Sequence, residues 1–225
     1  MSETWAPKKD RTRDTLLVAV QTILLDSAVA GLSVGEVTRV AGVAHGTFYN
    51  HFDSLDDALN GVGLYFLAEH SRVLDQLGAD STNRAEVFAL STRQTLRIVV
   101  DTPEYGRLLF DSGIPVDRLA AGLRSRMQAD ICQGIEDGSF RVSDAELTVG
   151  LVAGAILGLT LDLYRGRLGP TAIEPAAETL LHQLGVGPKT AHRLAFAPHT
   201  FMCLNPLPLS ALVHVKKSEP GDIRT

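Results

Sequence analysis

The chain has 225 residues, 45% of them hydrophobic, with 21 Lys and Arg against 26 Asp and Glu for a net charge of −5. That length supports one small and one larger domain around a sizeable core, and the acidic balance excludes a non-specific polyanion binder. The two cysteines, Cys132 and Cys203, have no metal-type spacing, and the polar start MSETWAPKKDRTRDT contains no apolar signal segment, so a reduced, cytoplasmic protein is expected.

Helical periods run from end to end and strand-like alternation is nearly absent, so the expected fold class is all-α. Leu16, Leu17, Val20, Ile23 and Leu24 form the apolar face of a helix expected over residues 11–30, closed by Gly31. Four positive charges (Lys8, Lys9, Arg11 and Arg13) precede or open it as a short basic arm. Residues 1–60 nevertheless hold five basic against eight acidic residues. Few phosphates would then be neutralised by any nucleic-acid contact, which predicts a shallow salt dependence.

Residues 32–59, LSVGEVTRVAGVAHGTFYNHFDSLDDAL, carry the strongest local signals. Ser33 followed by Glu36 reads as a capping box that starts a helix at Val34. Val37, Val40 and Ala41 share one face, and Gly42 supplies the left-handed residue that ends the helix. A second helix is expected over residues 44–51, with Phe48 and Phe52 inward at i and i+4. His45, Gly46, Thr47, Tyr49, Asn50 and His51 face mostly outward. Ala44 stands at the start of this helix, where a capping side chain would be worth ~1 kcal/mol. Gly46 costs a helix interior ~1 kcal/mol against alanine, so something outside the helix should require it. Ser54 with Asp57 caps the next helix, expected to about residue 77, with Gly61 and Gly63 as poor helix residues near its start. Two short helices joined by a glycine turn are the layout of a helix-turn-helix, whose second helix reads base edges in the major groove. Taken singly, Tyr49 or His51 would more often edge a hydrophobic core than make a functional contact.

The ordered string Ser33, Val37, Ala41-Gly42-Val43, Gly46, Phe48-Tyr49, His51-Phe52 and Ser54 resembles the DNA-binding signature of the tetracycline-repressor (TetR) family of bacterial transcriptional regulators. The resemblance implies an all-helical homodimer with an N-terminal three-helix helix-turn-helix unit and a larger helical ligand-binding and dimerisation domain. Carried over by position, His45 and Thr47 fall where bases are reached, and Tyr49 and His51 where phosphates are touched. Ser33 falls at a helix start that can bond the DNA backbone, and Ala44, Gly46 and Asn50 complete the DNA-facing set. Leu55 departs from the family, which often has a phosphate-contacting lysine there.

Further helices are expected over residues 84–100, 104–111, 116–136, 144–164 and 172–184, punctuated by Pro103, Gly113-Ile114-Pro115 and Gly169-Pro170. Residues 147–161, LTVGLVAGAILGLTL, lack any charge, and Gly150, Gly154 and Gly158 form a small-residue ridge. Fifteen residues are too few for a membrane span, which needs about 20, so a helix buried all round is expected and no membrane partner. The resemblance puts a dimer interface here, with Gly150, Leu151, Gly154 and Gly158 meeting Leu180 and Leu184 of the last long helix; an ordinary intrachain contact is the alternative. It also implies a ligand pocket between about residues 64 and 164. Tyr105, Phe110, Met127 and Asp162 are candidates for its lining, with Phe66, Phe88, Arg97 and Asp111 as further ones.

The expected divisions are residues 1–60 for the arm and helix-turn-helix, 61–187 for the ligand and dimer domain, and 188–225 for a tail. Residues 188–195 suit a short helix, while the remainder has no clear period but many apolar residues. No nucleophile elbow, phosphate-cradling glycine loop, HExxH or CxxC pattern occurs, so neither an enzyme nor a cofactor or metal site is expected. The expected function is a ligand-responsive repressor released from a near-palindromic, double-stranded DNA operator by a small molecule. A helical small-molecule carrier or interaction protein without DNA binding is the alternative.

Overall fold

A computed structural model describes residues 8–78, 81 and 83–211. The first seven residues and residues 212–225, including Leu212 and Val213 of the apolar tail, lie outside the described residues. Those described form helices and connecting segments without a strand.

The first helix, α1 (Lys8–Ser27), begins three residues earlier than its apolar face suggests. Its basic residues therefore belong to the opening turns of the helix and do not form a separate arm. The helix also ends sooner: the chain turns at Ala28, whose φ is 56°, and passes through a 3-10 turn at Val29–Gly31. Helix α2 (Val34–Ala41) starts where expected, with the Ser33 hydroxyl accepting from the Glu36 N–H at 3.1 Å. The reciprocal half of the capping box is not made; the Glu36 carboxylate pairs instead with Arg39. Gly42 closes α2 with φ of 67°, a conformation costly for any residue with a Cβ. Helix α3 (His45–Tyr49) is only five residues long, and Ala44 gives it no side-chain cap. Ser54 accepts from the Asp57 N–H at 3.1 Å and opens the long α4 (Leu55–Gly78).

Leu16, Leu17, Val20, Ile23 and Leu24 of α1 pack with Val37, Phe48, Phe52, Leu59, Val62 and Phe66 in one core. The Phe48 and Phe52 rings lie 5.4 Å apart within it. Gly61 belongs in this contact, because a Cβ there would come within 2.8 Å of a Leu17 methyl. The same core continues into Ile98, Tyr105, Leu108 and Ile114, so the helix-turn-helix unit is welded to the rest of the chain by apolar packing.

The larger part comprises α5 (Arg84–Asp101), α6 (Pro103–Gly106) running into a π-turn at Arg107–Asp111, α7 (Val116–Glu136), α8 (Ala145–Tyr164), α9 (Ile173–Gln183) and α10 (Pro188–Ala195). Asn83 and Asp144 cap α5 and α8 through their side-chain oxygens. A second core gathers Phe88 and Ala89 of α5, Ile131 of α7, Val149 and Val152 of α8, Leu180, Leu181 and Leu184, and Ala191 and Leu194 of α10.

Helix α8 departs from expectation. It is 20 residues long, and it is the one helix among the described residues long and apolar enough, by length and composition, to cross a membrane. The shortness argument drawn from its charge-free stretch therefore does not hold. Nor is it buried all round: only Val149, Val152, Thr160 and Leu163 are buried, while Leu147 and Leu151 are 60% and 58% exposed.

Residues 196–211 have no regular secondary structure, yet they strap the two parts of the chain together. Arg93 donates to the Ala197 carbonyl at 2.8 Å, and its guanidinium and that of Arg97 lie over the Phe201 ring. Gln94 exchanges two hydrogen bonds with the Met202 backbone, and Glu69 accepts two from Asn205. The Tyr105 hydroxyl donates to the Asn205 carbonyl at 2.7 Å. On α1, Gln21 exchanges two bonds with the Leu209 backbone, and Asp14 accepts from Ser210, the Ala211 N–H and Tyr65. Burial pushes the Glu69 carboxyl up, but Arg72 and Asn205 outweigh it and hold the group below the usual range.

Candidate DNA-reading surface and ligand cavity

The reading surface is built on the Phe48–Phe52 base. Because those rings are buried at i and i+4, the rest of α3 must turn outward. His45, Gly46 and Asn50 are exposed, Tyr49 is 55% exposed and Thr47 is half-buried. The His45 and Tyr49 rings lie 5.8 Å apart, and Tyr49 meets Phe48 edge-on, which orients the phenol away from the core. A Cβ on Gly46 would meet nothing within 4 Å, so no contact inside the chain accounts for this glycine. Ser33 and Ala44 are exposed at the starts of α2 and α3. His51 is half-buried just past α3; burial, and then the charges of Lys9 and Arg13, depress its basicity. It is therefore a neutral hydrogen-bonding group near pH 7. The Arg13 guanidinium stacks over the Phe52 ring at 4.8 Å and brings positive charge to this edge.

Helices α4, α5, α7 and α8 enclose a cavity of about 380 Å³. Phe66, Leu74, Phe88, Ile98, Val99, Leu109, Leu123, Met127 and Phe140 supply apolar walls. Gly150 and Gly154 complete them on α8, where a Cβ on either would meet nothing within 4 Å. Polar groups are few. His70 and Thr95 bond to each other at 3.0 Å, with Ser91 and Thr92 one turn away on α5. Arg84, Arg124, Arg126 and Asp130 also line it. Arg126 is held by Asp75 at 2.6 Å, and burial pushes the Asp130 carboxyl up.

Of the four residues expected to line the cavity, Met127 does. Tyr105 is fully buried between α4 and the strap and does not line the cavity. Phe110 stacks on Tyr164, and Asp162 pairs with Arg167 beyond the end of α8. Among the further candidates Phe66 and Phe88 line the cavity, whereas Arg97 and Asp111 are engaged by Asp101 and Arg165. Leu180 and Leu184 are buried within the single chain against Val149, Val152 and Leu194, so they are core residues and not an exposed interface. Gly154, Gly158 and Leu151 are exposed on α8, and Gly150 is half-buried. His70 was not singled out from the sequence, although a histidine four residues after Phe66 and three before Val73, on an apolar helix face, was a readable signal. Thr95 carried none.

A helix-turn-helix unit welded to a helical bundle that encloses a mostly apolar cavity is the architecture of ligand-binding transcriptional regulators. The family profile described as tetracyclin repressor-like, C-terminal domain, matches residues 83–196, just over half of the chain. The chain belongs to the TetR family. Among solved structures it is similar to RolR in complex with the ligand resorcinol, at 25% identity and a TM-score of 0.67, covering 89% of this chain and 100% of that one. It is also similar to a TetR-family regulator from Rhodococcus sp., at 24% identity and a TM-score of 0.59, covering 77% and 96%. The transcriptional regulator FadR from Bacillus subtilis, in complex with stearoyl-CoA, shares the fold at 15% identity and a TM-score of 0.53, covering 82% of this chain and 98% of that one.

Proposed function

We propose that the protein is a cytoplasmic, homodimeric, sequence-specific repressor that leaves a near-palindromic operator when a small molecule occupies the cavity. The observation that carries this reading is the outward display of His45, Gly46, Tyr49 and Asn50 on a helix whose base, Phe48, is wholly buried. His45 and Thr47 contact bases. Ser33, Ala44, Gly46, Tyr49, Asn50 and His51 contact the backbone, His51 as a neutral group. Residues 1–60 form the reading unit and residues 61–187 the ligand and dimer unit, with the strap of the 188–225 segment bonded to both.

The dimer face is α8. Leu147, Leu151, Gly154 and Gly158 recur at helical spacing, all exposed, and such an apolar stripe on a soluble regulator marks an interaction surface. Self-association covers it without a membrane. A twofold dimer would place two recognition helices about one DNA turn, ~34 Å, apart. The resorcinol complex of RolR supports a small hydroxylated aromatic as the first class of effector to try.

The test is selection from random double-stranded DNA by the purified protein. Enrichment of a palindrome is expected. Failure to enrich any sequence, with or without added small molecules, would favour the carrier reading, to which the net charge of −5 lends its support.

A further inference from the structure

Helix α5 serves two neighbours at once. Ser91, Thr92, Thr95 and Ile98 line the cavity, while Arg93, Gln94 and Arg97, interleaved with them, hold the strap. Helix α4 repeats the arrangement: Phe66 and His70 line the cavity, and Glu69 accepts the two bonds from Asn205. Tyr105, whose hydroxyl donates to the Asn205 carbonyl, also lies against Phe66, with ring centroids 5.7 Å apart. The far end of the strap is bonded to Gln21 and Asp14 of α1, the helix that packs on Val37, Phe48 and Phe52 of the reading unit.

Two clamps fix the strap against sliding. Gln94 takes both backbone groups of Met202, donating to the carbonyl and accepting from the N–H, each at 2.9 Å. Gln21 does the same to Leu209, and both glutamines are 1% exposed. Ordering an irregular segment is costly in conformational entropy, so these bonds must offset that cost. The matched family domain ends at residue 196, and the strap lies beyond it.

We propose that the strap ties the cavity wall to the reading unit and sets the angle at which that unit is held, with Gln94 and Gln21 as its positioning residues. Apolar packing is non-directional, so the core that both parts share allows small rotations. The two-bond clamps are directional and oppose them. A shift of α5 at the cavity therefore reaches α1 through the strap. The inference rests on the reading of the protein as a dimeric operator binder, and it adds what fixes the spacing of the two recognition helices. Each reading surface stays intact when the strap is released, so a single half-site should be bound as before. Joint engagement of two half-sites depends on geometry and should lose its preference for one spacing.

Three DNA duplexes separate the outcomes by fluorescence anisotropy with the full-length protein: the selected operator, the same operator with two base pairs added between its half-sites, and a single half-site. In the unaltered protein the two added base pairs should weaken binding about tenfold or more. Gln94→Leu at the cavity end and Gln21→Leu at the reading end should each reduce that penalty to about threefold or less. Half-site affinity should stay within about twofold. Should Gln94→Leu fold poorly, Phe201→Ala releases the same end from the strap side, since the Phe201 ring lies beneath Arg93 and Arg97. An unchanged spacing penalty, or an equal loss on the single half-site, would overturn the proposal. An effect of Gln21→Leu alone would reduce the strap to a prop on α1 and overturn its link to the cavity. If the unaltered protein selects no operator, the regulator reading itself falls, whereas a selected operator with an unchanged penalty removes only the role of the strap.

Discussion

Gln21→Leu isolates what the strap contributes. The side chain is almost completely buried on α1 and pairs with Leu209 as a backbone strand would: it accepts from the Leu209 N–H at 2.7 Å and donates to the Leu209 carbonyl at 2.8 Å. Leucine has nearly the same volume, so packing is kept while both bonds are lost. If the strap stays in place, two buried backbone groups are orphaned, at ~1–3 kcal/mol each. If it lifts, Leu209 is exposed instead, at ~1.5–3 kcal/mol, and the bonds from Ser210 and Ala211 to Asp14 go with it. The chain takes the less costly course and regains some segmental entropy, so a destabilisation of about 2–4 kcal/mol is expected. Urea unfolding followed by circular dichroism at fixed protomer concentration measures it, since association would otherwise shift the midpoint. Hydrogen exchange distinguishes the two courses: loss of protection at the Leu209 and Ala211 amides means the strap has lifted. A change below about 0.5 kcal/mol, the usual spread for an uninvolved surface site, with both amides still protected, would refute the reasoning.

On the reading surface, Tyr49→Ala should weaken binding to all operator variants by a similar factor, whereas Thr47→Ala should change preference at particular positions. Binding measured on a panel of single-base operator variants checks both, and the reverse pattern would exchange their roles. Leu151→Glu should give monomers with poor operator affinity, and dimers that persist in sedimentation would remove α8 as the interface. For His70, the folded protein holds the ring's pKa at about 4, below the unfolded value of 6.5. The unfolded chain therefore binds the proton first as pH falls. Its contribution is full above about pH 6.5 and is lost toward pH 4, by roughly 3 kcal/mol. Urea midpoints across that window should fall less steeply in His70→Phe than in the unaltered protein, and parallel curves would contradict the assignment.

The features legible in the sequence are those governed by a few neighbouring residues. The Ser33 and Ser54 caps, the left-handed Gly42, the uncapped Ala44 and the inward Phe48 and Phe52 all depend on local spacing, and the helix limits from residue 84 to residue 195 follow closely from prolines, glycines and apolar period. Fold class and the outward set on α3 came with them. What only the tertiary structure decided are relations between residues far apart in the chain. The strap carries no period because its bonds run from its backbone to side chains some 100 to 200 positions away, as in Gln94 with Met202 and Asp14 with Ala211. Composition marks Leu180 and Leu184 as apolar, but the choice between partner and own core is made by the packing of α9 against α5, α8 and α10. The same holds for α8, whose uniform hydrophobicity says that it must be covered and not by what. His70 finds its hydrogen-bond partner only because α5 brings Thr95 to one ring nitrogen. Local sequence determines where helices begin and end, since caps and turns act over a few residues; which face meets which neighbour is a property of the whole packed chain.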